Sequence, residues 1–326
     1  MILSASRRTD IPAFYAEWFF NRLKEGFVYV RNPMNLYQVS QIPLTPDNVD
    51  CIVFWTKDPA PLFRYLDDID AMGYKYYFQF TITPYGKDIE PNVRDKTEIV
   101  KTFKELSEKI GKEKIILRYD PIFITDNGKY VQQFHIKAFQ RLCEQLYAYT
   151  DKIVISFLDG YRKISKNVKE LGIREQLHES DMFNIASRFI DITKDYRLGL
   201  ETCAESIDLE KLGINHAKCI DGTLVEKILN CKITRTNKKG AELKDGAREH
   251  CGCMKCIDIG QYDTCMHKCL YCYANINKDK AQKNFKYHSP ASPLLLGEID
   301  KNKDKVIERS NRETRSFKQA LTIEDF

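Results

Sequence analysis

Cys51-Ile-Val-Phe-Trp55 is an uninterrupted apolar run of β-branched and aromatic residues, followed at once by the polar Thr56-Lys57-Asp58. Such a run is typical of a strand that is covered on both faces within a parallel sheet. Comparable runs predict further strands at residues 1–4, 76–82, 114–118, 152–157, 197–201 and 217–220. Longer amphipathic segments separate them and predict helices at residues 12–24, 60–72, 96–110, 131–149, 180–195 and 223–229.

This alternation of strands and helices predicts a parallel sheet with right-handed crossover connections. Six or seven such units suit a parallel (β/α) barrel, full or partial, and an open doubly wound sheet is the alternative. No glycine-rich phosphate loop follows the first strand, where the residues are Ala5-Ser-Arg-Arg-Thr-Asp10. A dinucleotide site is therefore disfavoured. Residues 27–42 predict a hairpin between the first helix and the second strand.

The composition indicates a globular protein without a strongly charged partner. The 326 residues are 43% hydrophobic, and 51 basic residues against 46 acidic ones leave a net charge of only +5. This small excess argues against nucleic acid or an anionic membrane as the partner. No apolar run reaches the ~18 residues of a membrane span. The apolar residues 1–6 precede Arg7 and Arg8, the reverse of a signal peptide, so we expect a cytoplasmic protein.

Polar residues follow the predicted strands, and in a barrel these strand ends converge on one mouth. Arg118, Asp120 and Glu201 are the candidate catalytic residues, because they lie inside or directly beside apolar strands. The basic Arg7 and Lys57 indicate binding of an anionic group, such as the carboxylate of a cofactor. Each of these residues could equally be an ordinary polar loop residue.

Six of the eleven cysteines fall between Cys251 and Cys272, which indicates a metal site because cytoplasmic cysteines rarely form disulfides. The second half reads Cys265-Met-His-Lys-Cys269-Leu-Tyr-Cys272. Three thiolates on one tight loop can hold three irons of a [4Fe–4S] cubane and leave the fourth iron open. Zinc is the alternative, with His267 or a cysteine of the first half as its fourth ligand.

The C-x-x-x-C-x-x-C spacing, with the aromatic Tyr271 before the last cysteine, resembles the signature of the radical S-adenosylmethionine superfamily. The resemblance implies a (β/α) barrel whose cluster binds S-adenosylmethionine at its open iron, with Tyr271 near the adenine. Reductive cleavage of the sulfonium would then start radical chemistry on a small-molecule substrate, with an electron donor such as flavodoxin or ferredoxin. Members of the superfamily carry the motif after the first strand, whereas here it must fold back from beyond the last one.

Nearly the whole chain also resembles an uncharacterised family with C-terminal cysteines. The segments that carry this resemblance are Ser4-Ala-Ser-Arg-Arg-Thr-Asp10, Phe54-Trp-Thr-Lys-Asp-Pro59 and Leu117-Arg-Tyr-Asp-Pro121. We expect residues 1–230 to form the barrel and residues 231–326 to form a cysteine-rich extension and tail packed on it.

A second metal site is predicted on the other cysteine triplet. Cys251, Cys253 and Cys256 supply three thiolates, and Cys203 or Cys219 could supply a fourth because both are expected at the barrel mouth. This site would hold a second [4Fe–4S] cluster or zinc.

Three functions therefore compete. The favoured one is a radical S-adenosylmethionine enzyme. A zinc-stabilised barrel hydrolase or lyase could instead use Arg118, Asp120 and Glu201 for acid–base chemistry. The weakest is a nucleic-acid-binding factor with residues 232–248 as its basic surface.

Overall fold

The computed structural model describes residues 1–160, 164–236, 241–245, 250–275, 277–309 and 319–320. Lys238 and Lys239, the basic pair of the predicted nucleic-acid surface, lie outside these residues. The strands are β1 (Ile2–Ala5), β2 (Phe27–Asn32), β3 (Asn35–Pro43), β4 (Cys51–Thr56), β5 (Tyr76–Thr81), β6 (Ile115–Ile122), β7 (Lys152–Phe157), β8 (Gly199–Thr202), β9 (Asn215–His216), β10 (Cys231–Lys232), β11 (Ile257–Asp258), β12 (Lys305–Glu308) and β13 (Gln319–Ala320).

The helices connect these strands largely as the amphipathic segments predict. They are α1 (Ile11–Phe14), α2 (Ala16–Glu25), α3 (Phe63–Ala71), α4 (Lys96–Ile110), α5 (Gln132–Leu146), α6 (Ser165–Glu170), α7 (Glu179–Asp195), α8 (Gly222–Leu229) and α9 (Lys278–Lys286). The helix predicted over residues 12–24 divides at Tyr15, and α6 and α9 are not predicted. None of the described helices is long and apolar enough to cross a membrane.

One eight-stranded sheet organises the chain, with the strand order β11-β1-β4-β5-β6-β7-β8-β9. Every neighbouring pair in it is parallel. The predicted parallel α/β architecture is therefore confirmed. Within the described residues no ladder joins β9 to β11, so the sheet is not seen to close into a barrel. The predicted hairpin is also present, since β2 and β3 pair antiparallel and β12 adds to β3.

Alternate residues of each central strand point to two different apolar layers. In β4, Ile52 and Phe54 belong to the large core beneath the helices. Cys51 and Val53 point the other way, into a smaller cluster with Val225 of α8. That second layer also takes in Cys219, Ile233 and Cys253, so the cysteine-rich segment helps to cover this face of the sheet.

The strand prediction is wrong at residues 217–220. This segment follows β9 and crosses the second face of the sheet, where Tyr77 Oη donates to the Cys219 carbonyl at 2.7 Å and Gln79 Nε2 donates to the same oxygen at 2.8 Å. The edge strand β11 is not predicted. It pairs with β1 in the central sheet, so the cysteine-rich segment is built into the sheet and does not merely pack on it.

Candidate metal centres at the carboxyl end of the sheet

The Cys265–Cys272 loop (residues 265–272) lies over the carboxyl ends of β1, β4 and β5. Asn92 Nδ2, beyond β5, donates to the Met266 carbonyl at 2.7 Å. The Leu270 amide donates to the Ile89 carbonyl at 3.0 Å, and Asn167 Nδ2 donates to the Leu270 carbonyl at 2.9 Å. The loop therefore reaches the end of the sheet where ligands bind in parallel α/β folds.

His267 fixes the middle of this loop to the end of β1. Its Nε2 donates to Asp10 Oδ2 at 2.9 Å. Asp10 also accepts from the Lys57 amide at 2.7 Å and, as the N-cap of α1, from the Ala13 amide at 3.0 Å. One carboxylate thus joins the ends of β1 and β4 to the cysteine loop. His267 Nδ1 is buried and has no hydrogen-bond partner within the described chain.

Glu90 is the charged centre beneath the loop, and sequence reasoning missed it. Its fully buried carboxylate accepts from Lys57 Nζ at 2.8 Å, from Lys96 Nζ and from Tyr271 Oη. Burial by itself raises the pKa of Glu90, but the two ammonium groups outweigh that effect and lower the pKa to about 2. No local pattern marks this glutamate, because its partners come from three separate parts of the chain.

These contacts show the surroundings of two residues predicted to bind a cofactor. Lys57 forms an ion pair with Glu90. Tyr271 is 6% exposed and packs against Tyr85 and Phe123, with ring centroids 5.8 and 6.0 Å away. In this arrangement Tyr271 anchors the loop to the sheet.

The pKa values of the three thiols of the loop are all raised. Burial raises the pKa of Cys265, and Cys272 and Asp10 add to the effect. Burial likewise raises the pKa of Cys269 and of Cys272. The Ala274 amide points at Cys272 Sγ from 3.4 Å. Three thiols on one loop, with amide donors aimed at sulfur, fit the donor set of an iron–sulfur cluster.

A second group of thiols is assembled from three separate segments. Cys219 Sγ lies 3.5 Å from Cys203 Sγ, which follows β8. Cys253 is within hydrogen-bonding range of both Cys219 and Cys251. Contact with Cys253 lowers the pKa of Cys251 to about 7. The structure therefore brings together four of the five cysteines predicted for this site.

Cys256, the fifth cysteine predicted for this site, contacts Arg7 and Asp245 instead of the other four thiols. Arg7 Nη2 donates to Cys256 Sγ at 3.3 Å, and Asp245 Oδ2 is 3.6 Å from the same sulfur. Arg7 also pairs with Asp245 at 2.7 Å and with Asp258 at 3.7 Å. Like Lys57, Arg7 is thus paired with carboxylates. In the described residues no three His, Cys, Asp or Glu side chains surround a position for a single metal ion.

A cavity of about 690 Å³ opens at this end of the sheet. Its wall contains Arg118 and Asp120, which pair through Arg118 Nε at 2.9 Å. The remaining lining residues come from the strand ends and the cysteine-rich segment: Ser6, Arg7, Arg8, Trp55, Thr81, Ser156, Cys203, Ala204, Cys219, Asp245, Cys251, Cys253, Asp258, Tyr262 and Tyr273.

Asp120 connects the two thiol groups electrostatically. Burial is the main cause of the raised pKa of Cys272, and contact with Cys219 is the main cause for Cys203. The Asp120 carboxylate adds to both, so it lies near a cysteine of each group.

The structure does not bring Glu201 together with Arg118 and Asp120. Its carboxylate pairs with Lys152 Nζ at 3.0 Å, at the beginning of β7, and does not line the cavity. Glu205 is the carboxyl that lies near Asp120 instead. Burial raises the pKa of Glu205 to about 8, although the Phe157 amide donates to it at 2.9 Å. The sequence places both glutamates at the end of β8, in Glu201-Thr-Cys-Ala-Glu205, and nothing in this pattern distinguishes Glu205 from Glu201.

Fold and site together define a parallel α/β protein with two cysteine groups and a polar cavity at the carboxyl end of its sheet. The chain belongs to the family described as "Domain of unknown function (DUF1848)", whose model matches residues 2–274. The match ends just after Cys272, so it includes both cysteine groups. It confirms the predicted uncharacterised family over most of the length.

The other comparisons add no activity. The chain has no match among curated proteins. A solved structure, a putative alpha-L-fucosidase from Bacteroides thetaiotaomicron, is similar over 73% of this chain and 84% of its own, with 13% identity and a TM-score of 0.25. So distant a likeness carries no argument about function.

Proposed function

We propose that this protein is an iron–sulfur enzyme of the radical S-adenosylmethionine type, with a [4Fe–4S] cluster on Cys265, Cys269 and Cys272. The observation that carries the proposal is the position of these three thiols on one loop at the carboxyl end of the sheet. The open parallel sheet would serve as a partial barrel. The loop with the superfamily-like spacing is far from β1 in the sequence, but its His267 contacts Asp10, just beyond the end of β1.

The donor set suits a cluster with one open iron, because the loop offers three thiolates and backbone amides that point at sulfur. When bound, the cluster would supply the electron that cleaves the sulfonium of S-adenosylmethionine. The electron would come from a donor such as flavodoxin or ferredoxin.

The chain's own residues would hold the loop and shape the substrate cavity. Asp10 and Glu90 anchor His267 and Tyr271, so the loop is fixed to three strand ends before any ligand binds. In the cavity, Arg118 keeps the Asp120 carboxylate in place. Glu205, near Asp120, holds a proton near neutral pH because burial raises its pKa to about 8.

The test is anaerobic reconstitution with iron and sulfide, followed by S-adenosylmethionine and a strong reductant. We expect cleavage of S-adenosylmethionine, with the product showing which sulfonium bond breaks. Replacing the three loop cysteines by alanine should abolish iron binding at this loop and the cleavage. The matched Cys143→Ala variant, on the buried face of α5, should retain both. Iron loading that survives the triple replacement unchanged, or a loaded wild type that leaves S-adenosylmethionine intact, would refute the proposal.

One observation favours a second candidate, a zinc-stabilised enzyme. The buried His267 Nδ1 has no partner in the described chain and could complete a Cys₃His zinc site with the three loop cysteines. His267→Gln separates the two candidates, because glutamine can still donate to Asp10 but lacks the second ring nitrogen. Iron loading should persist in this variant, whereas a zinc site at the loop would lose its metal.

A further inference from the structure

Four thiols that are distant in sequence meet at one wall of the cavity. Cys203 follows β8, Cys219 lies where the chain crosses the second face of the sheet, and Cys251 and Cys253 belong to the cysteine-rich segment. Cys219 and Cys253 are 2% and 3% exposed. Cysteines that only filled a hydrophobic core would not need to come from three segments of the chain with their sulfur atoms next to one another.

One of the sulfur–sulfur distances is close to that of a zinc site. Zinc bound at about 2.3 Å by four thiolates in a tetrahedron places neighbouring sulfurs about 3.8 Å apart. Cys203 Sγ and Cys219 Sγ are 3.5 Å apart. The sulfurs follow one another in the order Cys203, Cys219, Cys253, Cys251, so the outer two must rotate toward the centre to surround an ion. A cubane would instead require its four thiolates to move apart, because each would bind a different iron.

Two hydrogen-bond donors point at sulfurs of this group. Arg118 is 4% exposed, and its Nη1 donates to Cys219 Sγ at 2.9 Å. The Ile220 amide points at Cys253 Sγ from 3.4 Å. Four thiolates around Zn²⁺ carry a net charge of −2, and a buried guanidinium beside them offsets part of it.

We propose that Cys203, Cys219, Cys251 and Cys253 bind one structural zinc ion, and that Cys256 is not a ligand. Four protein ligands close the coordination sphere, so this ion would take no direct part in the reaction. It would instead clamp the cysteine-rich segment onto the second face of the sheet and form one wall of the cavity. The site is independent of the cluster proposed for the Cys265–Cys272 loop.

Zinc content and zinc X-ray absorption of the purified full-length protein test this proposal. We expect about one tightly held zinc per chain with four sulfur neighbours at about 2.3 Å. Cys219→Ser and Cys253→Ser should lose that zinc, whereas the matched Cys256→Ser, from the same triplet, should retain it. Fewer than four sulfur neighbours in the wild type would overturn the assignment even if the serine variants fail to fold.

Iron binding distinguishes the proposed zinc site from the cluster proposed for the Cys265–Cys272 loop. A chain without the three loop cysteines should still hold its zinc and should bind no cluster after anaerobic reconstitution. If it instead takes up about four irons that Cys219→Ser then removes, the four-thiol group is a cluster site and the zinc assignment is wrong. A reconstituted wild-type chain that retains its zinc but leaves S-adenosylmethionine intact would refute only the radical enzyme.

Discussion

Glu90 is a carboxylate with no exposed surface that is held between two lysines. Glu90→Gln removes the charge that both ammonium groups require, and an unpaired buried charge is costly. We expect the free energy of unfolding to fall by about 3–5 kcal/mol, measured by urea denaturation. The matched Glu108→Gln, on the exposed side of α4, should change stability by less than about 0.5 kcal/mol. Equal effects of the two changes would contradict the buried ion pair.

His135 provides a pH-dependent contribution to stability. Its Nε2 donates to the Phe123 carbonyl at 2.8 Å, and its Nδ1 lies 3.0 Å from Tyr119 Oη. Burial lowers the pKa of His135 to about 4. Between pH 6.5 and 4 the unfolded chain binds a proton that the folded one excludes, so stability should decrease as pH falls, by at most about 1.4 kcal/mol per pH unit.

The measurement is urea denaturation at several pH values across this window. His135→Gln should flatten the pH dependence, because glutamine cannot take up the proton in the unfolded chain. The exposed His178→Gln is the control and should keep the wild-type slope. An unchanged slope in His135→Gln would show that another group is responsible.

At the residue scale, the closeness of the three loop cysteines could be predicted from the sequence, whereas the partners of the charged residues could not. The motif alone identified Cys265, Cys269 and Cys272 as neighbours, because three residues on one short loop cannot be far apart. The partners of Lys57 and Arg7 come from 33 to 251 residues away, so the sequence offered both as free cations. Those contacts depend on the fold and not on any local pattern.

At the scale of elements, Gly260 allows β11 to approach the end of β1. A Cβ atom on Gly260 would lie 1.9 Å from Ser6 Oγ and 2.6 Å from Ser6 Cβ. Rotating the serine cannot relieve the second contact. Gly260→Ala should therefore separate β11 from β1 and lower the free energy of unfolding by about 1–3 kcal/mol, measured by urea denaturation.

Gly160→Ala is the matched control for this prediction. Its nearest contact outside the adjoining residues would be the Glu175 carbonyl at 3.5 Å, an ordinary van der Waals distance. It should unfold like the wild type. A Gly260→Ala protein as stable as this control would mean that the loop after β11 has room that the structure does not show.

Long buried strands were predictable, and short edge strands were not. β4, β5 and β7 begin at the predicted residues, because their continuous apolar runs match burial on both faces. β9 and β11 have two residues each, too few for any periodicity. Residues 217–220 are apolar for another reason, since they cover the second face of the sheet.

At the scale of the whole molecule, the fold argues against a barrel of residues 1–230 that is stable alone. Such a chain would lack β11, and Val53 and Val225 would lose Ile233 and Cys253 from their apolar layer. We expect residues 1–230 to bind a hydrophobic dye and to unfold at a lower temperature than the full chain. Equal melting temperatures and no dye binding would restore the predicted boundary at residue 230.

The hydrogen bond between Asp10 and His267 spans 257 residues. At a synthesis rate of about 5–20 residues per second, Asp10 would be added to the chain roughly 10–50 s before His267. Asp10, just beyond β1, therefore has no His267 partner while almost the entire remaining chain is translated. Delivery of the proposed cluster would have to wait until residues 265–272 have been made, and a ribosome that stalls before residue 265 would release a polypeptide without the three proposed ligands.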